Sequence, residues 1–208
     1  MASHTSTPVA QGADERGPRE RMVIHAADLI GRDGVAATSI GDVITASSAP
    51  RGSIYHHFPG GKTQLMTEAV RYAGDFIADR IGTLRSHTAA EAVSDIGDVW
   101  RRMLVNTDYQ FGCPVLAGGL ARGTEPQVAD AAEEVLTQWI EMVAARLVLE
   151  GVDADRAGSL ANLVVASIEG AVGLCQTRRS VEPLDKVIVE LAALCETLVR
   201  LSGPVTPV

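Results

Sequence analysis

Aromatic side chains are scarce in this chain: Phe, Tyr and Trp together make up 4% of its 208 residues. A sheet-based core draws on aromatic and β-branched pairs, so this scarcity, beside abundant Ala, Leu and Val, predicts an all-α fold of helices packed on helices. Cysteine is rarer still. Cys113, Cys175 and Cys195 are an odd number at wide spacing, which fits neither a disulfide framework nor a zinc site and leaves reduced thiols as the expectation. There is no run of 18 or more apolar residues and no charged-then-apolar leader pattern, so a cytoplasmic chain with no membrane partner is expected. Positive charge is short too. The net charge of −8 argues by itself against nucleic acid, because phosphate neutralisation supplies most non-specific affinity.

The distribution of charge reverses that argument. Residues 1–62 balance six basic side chains (Arg16, Arg19, Arg21, Arg32, Arg51, Lys62) against six acidic ones (Asp14, Glu15, Glu20, Asp28, Asp33, Asp42). The whole deficit lies after Lys62. A neutral part with a few placed cations, joined to an acidic part, suggests that one contacts DNA while the other does something else.

Residues 1–17 are rich in Ser, Thr, Gly and charge and lack periodicity, which predicts a disordered tail. From Pro18, a favourable first-turn residue, Met22, Ile24, Ala26, Ala27, Leu29 and Ile30 recur at helical spacing until Gly31 and Gly34, which are expected to end the helix. Thr38 or Ser39 caps a short second helix, and Ser47 to Pro50 breaks it. Another short helix spans Arg51 to about His57. The turn Phe58-Pro59-Gly60-Gly61 follows, and Lys62 opens a long amphipathic helix. Further helices are expected at about 89–107, 114–121, 126–150, 155–178 and 184–201, for about nine in all, with a frayed C-terminal end.

Two short helices joined by a tight turn, behind a supporting helix, are the geometry that lets the second enter a DNA major groove. The residue types agree. Arg51 can reach guanine O6 and N7 together, and Gly52 lets the backbone approach closely. Ser53, Tyr55, His56 and His57 offer hydroxyls and imidazoles to base edges and phosphates. Ile54 and Phe58, four apart, face inward as anchors. Lys62 with the first turn of the long helix makes a phosphate clamp, and Thr38 and Ser39 do the same across the groove. Ser48, in the turn, completes the expected contact set. Adjacent helical His residues point in different directions, and no Cys or carboxylate lies at ligand spacing, so neither a metal nor a cofactor is expected.

Thr38-Ser39-Ile40 followed by Arg51-Gly52-Ser53-Ile54-Tyr55-His56-His57-Phe58-Pro59-Gly60-Gly61-Lys62 resembles the TetR family of bacterial repressors. The Phe58–Lys62 turn and Phe111-Gly112-Cys113-Pro114 look most like its LmrA/YxaF-like subgroup. The resemblance implies an all-α homodimer with three N-terminal helices as the DNA-binding domain, over 18–62. The other six or so helices, over 63–208, then form a ligand-binding and dimerisation domain. One departure is visible: Ser47-Ser48-Ala49-Pro50 stands where many relatives carry Ala-Gly-Val-Ser.

Catalysis has little support. Gly61-Lys62-Thr63 copies the end of the phosphate-binding loop GxxxxGK[ST], but the required first Gly falls at His56, inside a helical segment. No H-E-x-x-H, G-x-S-x-G or G-x-G-x-x-G occurs. Cys113 beside Pro114 is more simply a small buried hydrophobe than a reactive thiol. The chain is therefore read as a non-enzyme.

The 155–178 segment is apolar on several sides and carries small residues, and the 184–201 segment has a matching stripe. Pairing both with their twins across a two-fold axis gives a four-helix interface, expected to include Ala161, Val165, Gly170, Val172, Leu191, Leu194 and Leu198. Trp100, Met103, Leu104, Phe111, Leu116, Leu120, Trp139, Met142 and Val143 are expected to line an apolar pocket for a small-molecule effector. Thr107, Arg146 and Ser167 serve there as polar handles. The leading reading is a ligand-responsive repressor on a pseudo-palindromic double-stranded operator. Two alternatives stay open: a ligand-independent DNA binder, and a small-molecule-binding helical protein or enzyme without specific DNA binding.

Overall fold

The computed structural model describes residues 9–10, 12–50, 52–82 and 86–202. Those residues form one short 3-10 turn, Ala13–Glu15, and nine α-helices, with no strand among them. The helices are α1 (Pro18–Ala37), α2 (Ile40–Ser47), α3 (Ile54–His57), α4 (Gly61–Gly82), α5 (Ala89–Asn106), α6 (Pro114–Leu120), α7 (Pro126–Leu149), α8 (Ala154–Arg178) and α9 (Glu182–Ser202). From α5 onward every end lies within two residues of its expected place, because Pro, Gly and Asp punctuation sits at each junction.

The chain divides into two compact units: residues up to Ala78 with Met103–Leu136, and Asp79–Arg102 with the chain from Thr137 onward. α4, α5 and α7 each contribute to both. α6 and the first half of α7 therefore belong with the helix-turn-helix, whereas the sequence reading placed everything after Lys62 in a separate domain.

In the first unit α1 is the central strut, burying Met22, Ile24, Ala26, Ala27 and Ile30. Contrary to expectation, the helix runs through Gly31. The residue is there for packing, since a β-carbon on it would overlap the edge of the Phe111 ring. The real break is Gly34, at φ 79°, a conformation open to glycine. The expected disordered tail also needs correction from Val9 on. Val9, Ala10 and Ala13 are buried, the two alanines clustering with Ile24 and Tyr72. Arg21 ties this arm to the helix-turn-helix by donating to the carbonyls of Arg16 and Ser47. An anchor made of three small side chains has no periodicity to announce it.

α2 starts in a capping box. Ser39 Oγ accepts from the Asp42 N–H, and Asp42 Oδ2 accepts from the Ser39 N–H. It ends at Ser48, at φ 52° in the left-handed region, with the Ser48 and Ala49 N–H groups closing on Ile44 O. A side chain there is strained. Ser48→Gly is expected to stabilise the chain by about 1 kcal/mol and raise Tm by about 2–4 °C in calorimetry; an unchanged or lower Tm would show the turn is relaxed as it stands.

In the second unit α8 and α9 pack as a pair, and Arg101 of α5 bonds Asp185 of α9 at 2.7 Å. All three cysteines are buried thiols outside any disulfide, Cys113 in the first unit and Cys175 and Cys195 in the second. Burial pushes the Cys175 and Cys195 thiols above their ordinary range.

Candidate nucleic-acid interface

α3 is four residues long and has two sharply different sides. Ile54 and Phe58 are 1% and 0% exposed, while Tyr55 is 68% exposed and His56 is also open. Two buried anchors four apart fix so short a helix against its neighbours and leave Tyr55 and His56 facing out, with His57 half-buried. His56 and His57 rings meet edge-on, centroids 5.2 Å apart.

The other expected contacts divide by environment. Gly52 is exposed, and Arg51 lies outside the described residues. Ser53 is half-buried, and its hydroxyl donates to Pro50 O at 2.7 Å, so it braces the turn from within. Ser48 and Ser39 are exposed, whereas Thr38 is 2% exposed with its hydroxyl donating to Gly34 O at 2.8 Å. Burial and that bond withdraw Thr38 from any partner; Ser39, not Thr38, is the cap. Lys62 is half-buried in the first turn of α4 and has no carboxylate partner among the described residues. Thr63 beside it is spent on Glu125 Oε2, at 2.9 Å.

Between α2 and α3 runs a groove of about 440 Å³ bordered by Ile40, Gly41, Asp42, Ile44, Thr45 and Tyr55. In an eight-residue helix only one narrow stripe is covered: Val43 is 0% exposed, and Ile40 and Ile44 are left half-exposed beside Tyr55. Hydrogen bonds from the Ser39 side chain and backbone hold the Asp42 carboxyl below its ordinary pKa, so the groove carries a fixed negative charge at neutral pH. Arg19, Gln64 and Glu68, which bond one another behind α3, were missed, because two of them sit on a helix face whose charges read as solvated.

The expected effector residues fall in both units. Met103, Leu104, Thr107, Phe111, Leu116 and Leu120 belong to the first. There Phe111 is fully buried against Gly31, and Thr107 Oγ1 donates to Met103 O at 2.8 Å and accepts from the Phe111 N–H. Leu120 is 78% exposed. Those three serve packing, local bonding and open surface respectively. Trp100, Trp139, Met142, Val143, Arg146 and Ser167 belong to the second unit. Both tryptophans are buried, Val143 and Ser167 are half-buried, and Met142 is exposed. Arg146 is held by Glu150 at 2.8 Å. A groove of about 1110 Å³ in the same unit is bordered by other, mainly polar residues, including Glu91, Asp95, Glu150 and Glu196.

Of the expected interface residues, Ala161, Val172 and Leu191 are at most 5% exposed within the single chain and have no surface left to give a partner. Val165, Leu194 and Leu198 are half-buried and Gly170 is open. The outward stripe of α8 runs instead through Leu163, Ala166, Gly170, Gly173 and Leu174. α8 is apolar enough along its length to pass for a membrane span by composition, yet 44% of that stretch is buried, so much apolar surface is left uncovered by its own chain.

Residues 25–69 match the family described as bacterial regulatory proteins, tetR family. Residues 89–190 match the transcriptional regulator LmrA/YxaF-like C-terminal domain. An uncharacterized HTH-type transcriptional regulator of Mycobacterium tuberculosis is 42% identical over 186 residues, covering 86% of this chain and 94% of the relative. The HTH-type transcriptional regulator LmrA of Bacillus subtilis is 31% identical, over 80% of this chain and 90% of its own. Among solved structures, a TetR transcriptional regulator from Chloroflexus aurantiacus superposes with a TM-score of 0.70 at 29% identity, over 88% and 96% of the two chains. One from Legionella pneumophila shares the fold, with a TM-score of 0.76 at 24% identity over 86% and 97%.

Proposed function

Because the chain belongs to the TetR family of bacterial transcriptional regulators and is a DNA-binding protein rather than an enzyme, we propose that it works as a homodimeric repressor, released from a pseudo-palindromic operator by a small apolar or amphipathic effector. The observation that carries the DNA-facing part is the two-sidedness of α3: Ile54 and Phe58 sealed inward, Tyr55 and His56 presented outward. Arg51 and Gly52 at its start read base edges. Tyr55, His56, Ser48 and Lys62 hold phosphates on either side, whereas Ser39 gives both its hydroxyl and its N–H to Asp42 Oδ2.

A single helix-turn-helix reads one half-site, so two copies about 34 Å apart are needed to grip a palindrome. The outward stripe of α8 supports the pairing, and Val165, Leu194 and Leu198, half-buried in the single chain, keep surface to contribute. An effector held near Trp100, Trp139 and Val143 in the second unit lowers operator affinity only by its preference for the conformer that binds DNA poorly. Acting on chromosomal DNA places the protein in the cytoplasm.

The deciding experiment selects duplexes from a random pool with the purified wild-type chain, then titrates the enriched duplex and a scrambled one at two salt concentrations. Arg51→Ala is expected to weaken the enriched duplex by about 1–3 kcal/mol and to relax selectivity at one position of each half-site. Equal, weak binding of both duplexes by the wild type would reject the reading of α3 as the specificity element.

A further inference from the structure

Behind the DNA-facing surface a chain of polar contacts links three elements of the first unit. Arg19 on α1 places one guanidinium nitrogen 2.8 Å from both carboxylate oxygens of Glu68 on α4. Its guanidinium carbon lies 5.0 Å from the centre of the Phe58 ring. Glu68 Oε1 also accepts from Gln64 Nε2 at 3.0 Å, and Gln64 Oε1 accepts from the Gly60 N–H at 2.9 Å. Gly60 stands between Phe58, the last anchor of α3, and Gly61, where α4 begins.

We propose that the Arg19–Glu68–Gln64–Gly60 relay sets the angle of α3 and of the α4 N-terminus, making Glu68 a positioning residue that strengthens operator binding although it is an anion on a DNA-binding unit. The inference rests on α3 being the recognition helix.

The argument is one of polarity. An ionised carboxylate only accepts, and the Gly60 N–H only donates. Between them the Gln64 amide has one workable orientation, nitrogen toward Glu68 and oxygen toward Gly60. Arg19 holds the carboxylate in place from α1 while its flat face rests on Phe58, so the two ends of the relay meet on either side of one turn. A neutral glutamine at 68 can present either end of its amide, and the orientation of Gln64 is then no longer imposed. Arg19 and Glu68 are 49% and 27% exposed, a setting in which ion pairs add little to global stability, so the effect belongs to binding geometry and not to folding.

The test uses the full-length chain, its own enriched duplex and the scrambled duplex. Plain electrostatics predicts that Glu68→Gln, which removes a negative charge, tightens binding to both. The relay predicts the opposite sign: a loss of about five- to tenfold on the enriched duplex. The scrambled duplex, the salt slope and Tm stay unchanged, because no phosphate contact is lost. Gln64→Leu, which leaves the Arg19–Glu68 pair and the net charge alone, is expected to give the same selective loss, and it decides the matter if Glu68→Gln lowers Tm. Enriched-duplex binding by Glu68→Gln at or above wild-type strength, or a Gln64→Leu chain indistinguishable from wild type, overturns the proposal. The wild type's own enrichment of a duplex tests the underlying reading separately from these ratios.

Discussion

Phe111→Ala is expected to lower the free energy of unfolding by about 3–5 kcal/mol, the range for emptying a fully buried aromatic site. Phe111, expected from the sequence to line an apolar pocket, is 0% exposed and lies in the short link before α6. Its ring edge fills the place a side chain at position 31 would occupy, and the neighbouring Gly112 N–H donates to Gly31 O at 2.8 Å. The link is therefore stapled to α1 by a ring and by a backbone hydrogen bond that requires close approach. Gly31→Ala in the wild-type background should cost about 1–3 kcal/mol through overlap. Combined with Phe111→Ala the same methyl enters vacated space on a helix that prefers alanine to glycine, so the double variant should recover part of the loss. Urea unfolding at fixed protein concentration reads all three variants. A Phe111→Ala cost below about 1 kcal/mol, or strict additivity with Gly31→Ala, would mean the ring does not hold α1.

The second large effect is expected from Gly170→Arg. A glycine inside a helix costs about 1 kcal/mol relative to alanine, and a β-carbon built on Gly170 or Gly173 meets nothing within 4 Å in the chain itself. Nothing in one chain calls for glycine there, whereas a second helix crossing the stripe would. Leu163 and Leu174, 47% and 48% exposed, flank it. Arginine at 170 fits the isolated chain and blocks a partner. Light scattering should then give the mass of one chain, and operator affinity should fall by about 10²–10⁴, the gain that linking two half-site contacts supplies. A variant that keeps dimer mass and full affinity would place the interface elsewhere.

These cases show what a linear reading can reach. Helix ends from α5 onward were legible because Pro114, Pro126, Asp153 and Pro183 are local signals whose meaning does not depend on distant residues. So was the side of α3 that faces out, since Ile54 and Phe58 declare the inward direction by their spacing. Gly31 was misread as a terminator because its reason, Phe111, lies eighty positions downstream. The faces of α8 were confused for a related cause. Its apolar residues occupy more than half the circumference, so periodicity shows that several sides are buried without saying which is covered by α9 and which is left over. Thr38 and Ser39 are equally good caps by type; only the hydroxyl directions separate them.

The three sheltered thiols give the molecule a property of another kind. Alkylating reagents attack the thiolate, and a buried cysteine must first be uncovered by a local opening of the surrounding helices. Cys113 lies in the unit that carries the helix-turn-helix, and Cys175 and Cys195 lie in the other. The unmodified chain thus carries a separate chemical clock in each half, able to time how the loosening of one responds to a molecule bound at the other.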